Sequence, residues 1–180
     1  GSKQAIAESL TNVVWAPLTY GLKGVSLSAN WMWPAKNTGE NARLYEAVEA
    51  VSQFAINLGI NIPTGKDSLS MTQKYPNGDV VFAPGTVIIT AVGEVEDVTK
   101  TVSPNVQPVK GSAIIHIDFS SDKRKLGGSA FSQILNKLGD DVPSIGDDTY
   151  FANAFDTLQT LIKRQLILAG HDVSSGGLVT

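Results

Sequence analysis

The chain has 180 residues, 42% hydrophobic and 17% charged, a balance that folds rather than stays disordered. It has no cysteine, which excludes disulfides, thiolate nucleophiles and cysteine metal sites, so any metal must bind oxygen or histidine. A formal charge of -3 supplies no basic field for nucleic acid, and no apolar run reaches the ~20 residues of a membrane span, so neither partner is expected and the expected setting is the cytoplasm.

From Lys3 to Ala16, Ile6, Leu10 and Val13 recur at helical spacing, and Pro17 ends the pattern. Glu8 and Asn12, four residues apart, lie about 40° from one another on the helical wheel, with the apolar residues opposite. Their neighbours Ala5, Trp15 and Ala16 suggest a partly covered face. A carboxylate and an amide oxygen suit Mg²⁺, a hard ion; an ordinary solvent-facing pair is the alternative.

Gly24 to Asn30 alternates as a half-buried strand, with Val25, Leu27 and Ala29 on one side, and a loop with Trp31, Trp33 and Pro34 follows. Leu44, Val48, Val51, Ala55 and Leu58 form the stripe of a long helix, with Asn37 and Glu40 as a capping-box variant and Gly59 as its stop.

Gly65-Lys66-Asp67-Ser68, after a Pro63-Thr64 turn, offers a cation, a carboxylate and a hydroxyl, as a phosphate or substrate loop does; a polar loop with a turn glycine is the alternative. It is not a Walker A loop, because Ile60 stands where the first glycine must be and Asp67 replaces the Ser or Thr. Pro76-Asn77-Gly78-Asp79 reads as a turn between strand-like runs, and Thr86 to Val92 as a strand.

Pro and Gly residues between Ser103 and Gly111 mark a domain boundary, which divides the chain into 1–103 and 104–180. A strand over Ala113–Phe119, a helix carrying Phe131, Ile134, Leu135 and Leu138, a helix capped by Asp147 or Asp148 with Phe151, Phe155, Leu158 and Ile162 inward, and a buried strand over Leu166–Ala169 follow. The fold class expected is α/β, or more broadly α+β.

Gly170-His171-Asp172-Val173-Ser174-Ser175-Gly176-Gly177 lies between that strand and an expected helix, where open α/β sheets bind ligands. Its glycines would let backbone approach a phosphate, Asp172 could hold a divalent ion and Ser174 could donate to phosphate. A structural helix cap is the other reading of these residues, with His171 satisfying backbone groups. Gly1-Ser2 resembles a tag scar and Gly176 to Thr180 the start of a helix, so the chain is expected to be an excised piece.

Four segments together, Glu8-Ser9-Leu10-Thr11-Asn12, Leu27-Ser28-Ala29-Asn30-Trp31-Met32, Gly65-Lys66-Asp67-Ser68-Leu69-Ser70-Met71 and Gly170 to Gly177, resemble in order the second synthetase half of large phosphoribosylformylglycinamidine synthases. The resemblance runs through essentially the whole chain. It implies an aminoimidazole-ribonucleotide-synthetase-like fold, shared with selenophosphate synthetase and thiamine monophosphate kinase, in which an N-terminal α/β domain joins a partner in a β-barrel and a C-terminal α/β domain follows. This chain would hold the rear of the first domain and the front of the second, with an exposed barrel edge that favours oligomers.

The resemblance further implies conversion of formylglycinamide ribonucleotide to formylglycinamidine ribonucleotide with ATP, Mg²⁺ and glutamine-derived ammonia. Carried over by motif, Glu8, Asn12 and Asp172 are expected to bind metal and Ser174 to contact ATP. Lys66, Asp67 and His171 are candidates for catalytic roles, and Lys66 and Ser68 for substrate or nucleotide contacts. The glutaminase cysteine, an upstream metal aspartate and the first synthetase half lie outside this chain, so complete activity is not expected of it alone. A noncatalytic structural or pseudo-dimer module of that enzyme, and another enzyme of the same superfamily, are the alternatives.

Overall fold

The computed structural model describes residues 1–174 and 177–179, and its architecture is mixed, of the α+β class. Helix α1 (Ser2–Val13) buries Ile6 and Leu10, as their spacing predicts, and Ala7 as well, while Val13 is only half-buried, and the chain turns at Val14 before Pro17. Strand β1 (Ser26–Met32) follows, with Leu27 and Ala29 inward, and extends through Trp31, which the sequence places in a loop.

Helix α2 (Glu40–Leu58) differs from expectation at its front. Its N-cap is Gly39 at φ 84°, with no side-chain cap, so the Asn37–Glu40 capping box does not form. Val48 is exposed, and the inward stripe is Val51, Phe54, Ala55 and Leu58, because only the rear half of the helix meets the core. Gly59, at φ 69°, ends it as expected and donates its amide to Ile56.

Strand β2 (Asn61–Ser68) pairs parallel with β1, and β5 (Thr86–Val92) pairs antiparallel on the other side, giving the sheet order β2-β1-β5. The short strands β3 (Thr72–Lys74) and β4 (Val80–Phe82) form the expected hairpin, turned by Gly78 at φ 91°. One face of the main sheet carries Val25, Leu27 and Ala29 against the helices, while the other is open, with Ile88 and Val92 exposed.

Helix α4 (Asp148–Lys163) closes the core. Asp147 caps it by accepting the Tyr150 amide at 2.9 Å, and Phe151, Phe155, Leu158 and Ile162 join one cluster with Ile6, Leu10, Phe54 and Leu58, across the position 103/104. The Phe151 ring stands edge-on to Phe54 at 5.5 Å and to Phe119 at 5.3 Å.

Three expected elements are absent or shortened. Ala113–Phe119 has no strand, and Ile114 and Ile115 are exposed; no neighbouring strand receives their backbone groups, and a β-branched run without a ladder stays hydrated. Leu166–Ala169 likewise forms no strand, with Leu166 and Leu168 exposed. The helix of Phe131, Ile134, Leu135 and Leu138 is reduced to α3 (Ala130–Ile134), and all four side chains are exposed because no apolar surface faces them. The helix expected from Gly176 falls partly outside the described residues; Gly177–Val179 forms a 3₁₀ turn.

Candidate functional site

Glu8 and Asn12 stand together on α1, away from its buried side, as the wheel requires. Both are exposed, which corrects the expectation of a covered face: Trp15, whose ring would cover it, turns instead onto Gly170. Among the described residues neither side chain makes a hydrogen bond or ion pair, so their oxygens are unengaged.

The Gly65-Lys66-Asp67-Ser68 segment is not a loop but the end of strand β2. Lys66 lies beside Asn30, Asp67 beside Trp31 and Ser68 beside Met32, so the second and third motifs are adjacent strands. Lys66 donates to the Ser68 hydroxyl at 3.1 Å, which puts both on one face of the strand and Asp67 on the other. Lys66 and Asp67 are thereby separated. Gly65 serves packing: a Cβ there would lie 2.1 Å from the Ala29 carbonyl oxygen.

At the other end of the chain, Gly170 donates its amide to the Ser103 carbonyl at 3.1 Å and lies against the Trp15 indole, where a Cβ would come 2.0 Å from Cζ3. The Trp15 ring leaves no room for a side chain at this glycine. The Asp172 side chain is only 10% exposed, with Nδ1 of the exposed His171 at 3.4 Å from Oδ1, and Ser174 is exposed. Ser175 and Gly176 lie outside the described residues.

Two residues join these parts: Trp15, expected from the sequence only as a neighbour of Glu8 and Asn12, and Gln159, which the sequence reading missed. Trp15 accepts the Val102 amide at 2.9 Å through its carbonyl. Gln159, 4% exposed, accepts the Leu18 amide at 2.8 Å through Oε1 and donates through Nε2 to the Val14 and Ala16 carbonyls. A glutamine within an apolar helical stripe is the signal that could have marked it.

Taken singly, Glu8, Asn12 and Asp172 carry oxygen donors of the kind Mg²⁺ takes, an ion that keeps waters and binds few side chains. Among the described residues no group of three or more His, Asp or Glu side chains is placed to hold a metal ion.

A family model described as the FGAR-AT PurM_N-like domain matches residues 1–94. The chain belongs to this family. Within the FGAR-AT PurM_N-like domain fall Glu8, Asn12 and Lys66 to Ser68, whereas Gly170 to Ser174 lie beyond it. Likeness to curated relatives continues to the end of the chain. A probable phosphoribosylformylglycinamidine synthase, chloroplastic/mitochondrial, of Arabidopsis thaliana is 45% identical over 179 residues, 99% of this chain and 13% of the relative. A probable phosphoribosylformylglycinamidine synthase of Caenorhabditis elegans is 43% identical over 191 residues, 100% of this chain and 14% of the relative. The phosphoribosylformylglycinamidine synthase of Dictyostelium discoideum is 40% identical over 181 residues, 97% of this chain and 13% of the relative. The chain thus spans about one seventh or less of the length of these relatives.

Proposed function

We propose that this chain is an internal part of the second synthetase half of a phosphoribosylformylglycinamidine synthase and contributes part of its ATP and Mg²⁺ site. The observation that carries this reading is likeness to relatives of that name along nearly the whole chain, motifs included. The parent enzyme is a carbon–nitrogen ligase of purine biosynthesis, acting on formylglycinamide ribonucleotide with ATP and with ammonia from glutamine delivered by a glutaminase domain elsewhere in the chain. The isolated piece is inactive, its residues 1–103 and 104–180 being parts of two synthetase domains. Its proposed compartment is the cytoplasm.

In this reading Glu8 and Asn12 offer unengaged oxygens from α1, Asp172 a third from the segment after Gly170, and Ser174 a hydroxyl to ATP. A bound Mg²⁺ would offset the charge of the nucleotide phosphates. Lys66 and Ser68, sharing one strand face, can bind an anionic substrate or nucleotide group together; Asp67, on the opposite face, cannot join that contact without rearrangement. His171 stands beside Asp172 and can orient its carboxylate.

The test uses the full-length parent enzyme. Glu8→Ala and Asp172→Ala should each depress turnover most at low Mg²⁺, with partial recovery as the metal is raised. Unchanged turnover at low Mg²⁺ would remove both residues from the metal site.

A second reading, a noncatalytic structural or pseudo-dimer module, draws on the open sheet face with its exposed Ile88 and Val92. Locating nucleotide in the parent enzyme separates the two: phosphate beside Glu8, Asn12 and Asp172 supports the first, and a sealed site there supports the second.

A further inference from the structure

A run of contacts ties the chain just after α1 to α4 and to the segment carrying Asp172. Gln159 holds the carbonyls on both sides of Trp15, those of Val14 and Ala16, at 2.5 and 3.0 Å, and takes the Leu18 amide at 2.8 Å. The Trp15 carbonyl accepts the Val102 amide, and the next residue, Ser103, accepts the Gly170 amide. The Trp15 indole then fills the place where a side chain at Gly170 would stand. Among the described residues the buried indole Nε1 has no hydrogen-bond partner, and the contact with Gly170 is one of shape.

We infer that Trp15, clamped by Gln159 and seated on Gly170, is the positioning residue that fixes Asp172 in distance and direction relative to Glu8 and Asn12. Asp172 lies two residues beyond Gly170, and Asn12 lies three residues before Trp15 near the end of α1, so any displacement at the indole–glycine contact moves one part of the proposed oxygen set against the other. This rests on the metal reading above. Residues that orient ligands without touching the ion commonly change affinity about 10- to 100-fold when replaced.

The experiment measures Mn²⁺ bound by the full-length parent enzyme, without nucleotide, from the electron paramagnetic resonance of the free ion. Glu8→Ala and Asp172→Ala identify the site by its loss. Gly170→Ala should weaken that same site about 10- to 100-fold, and Trp15→Leu added to it should recover most of the loss by making room for the methyl group. Thermal unfolding without metal reports whether each variant is folded. If Gly170→Ala does not fold, Trp15→Leu alone serves: loosening the contact should weaken Mn²⁺ binding, and wild-type binding would overturn the inference. Wild-type binding by a folded Gly170→Ala, or a double variant no better than the single one, overturns it as well while leaving the metal reading intact. If Glu8→Ala and Asp172→Ala both bind Mn²⁺ normally, the metal reading itself fails.

Discussion

Single side chains carry much of this structure's specificity, and Gln159 is the clearest. Its three hydrogen bonds satisfy backbone groups left over just after α1, and those to Val14 and Leu18 lie out of water. Gln159→Leu keeps the volume and strands those groups, each costing about 1–3 kcal/mol when buried unpaired, so the chain should lose roughly 3 kcal/mol or more in urea unfolding. A glutamine inside an apolar stripe is visible in the sequence, but nothing there says which backbone groups it meets, so its partners were not legible. Asp122 gives a pH test. Its hydrogen bond from Lys125, with the nearby ammonium charge, holds its carboxyl below the usual 3.8 and raises Lys125 above 10.5. The pair's contribution is therefore present between those values, lost as pH falls through the lowered aspartate value and lost again as pH rises through the raised lysine value. Asp122→Asn should lower the melting temperature near neutrality and make no difference once the solution is well below pH 3.8.

Among the elements, a helix was legible where a cap coincides with an apolar stripe that reaches the core. Helix α4 has both, and Asp147→Ala, which removes the hydrogen bond to the Tyr150 amide, should cost about 1 kcal/mol by denaturant titration. Strand β2 was not legible because Pro63, Gly65, Lys66 and Asp67 have the composition of a loop. Its position explains them: β2 is an edge strand, its register slips between Ser26 and Ser28 opposite Pro63, and Gly65 admits the Ala29 carbonyl. The reverse error, a strand assigned to Ala113–Phe119, has the complementary cause, since strand propensity produces a strand only where a neighbour supplies the ladder. For the candidate site, the helical wheel of Glu8 and Asn12 was legible, while the role of Gly170 was not, because its partner Trp15 is remote in sequence.

At the scale of the whole molecule, the sheet is covered on one face and open on the other. Ile88 and Val92 are 51% and 64% exposed on strand β5 at the sheet edge, and Val80, Val81 and Phe82 are exposed on the hairpin. Such edges recruit a second chain unless blocked by charge. The isolated chain should therefore show a mass that rises with concentration in sedimentation equilibrium, and the double variant Ile88→Lys, Val92→Lys should return it to the monomer value. Across the molecule, the order of the four motifs was legible; that two of them are neighbouring strands, and that a late helix completes an early core, were not.

That late helix has a consequence for biosynthesis. Ile6, Leu10 and Phe54 are sealed by Phe151, Phe155 and Ile162, and Lys3 reaches Asp148 at 2.7 Å, which also accepts from Asn57 at 2.7 Å. On the ribosome α1 and α2 emerge well before their cover, and at about 5–20 residues per second the apolar seam stays bare for several seconds. Over that interval the nascent polypeptide is a natural client for a holding chaperone, and slowing translation between Leu58 and Asp147 would lengthen its exposure to aggregation.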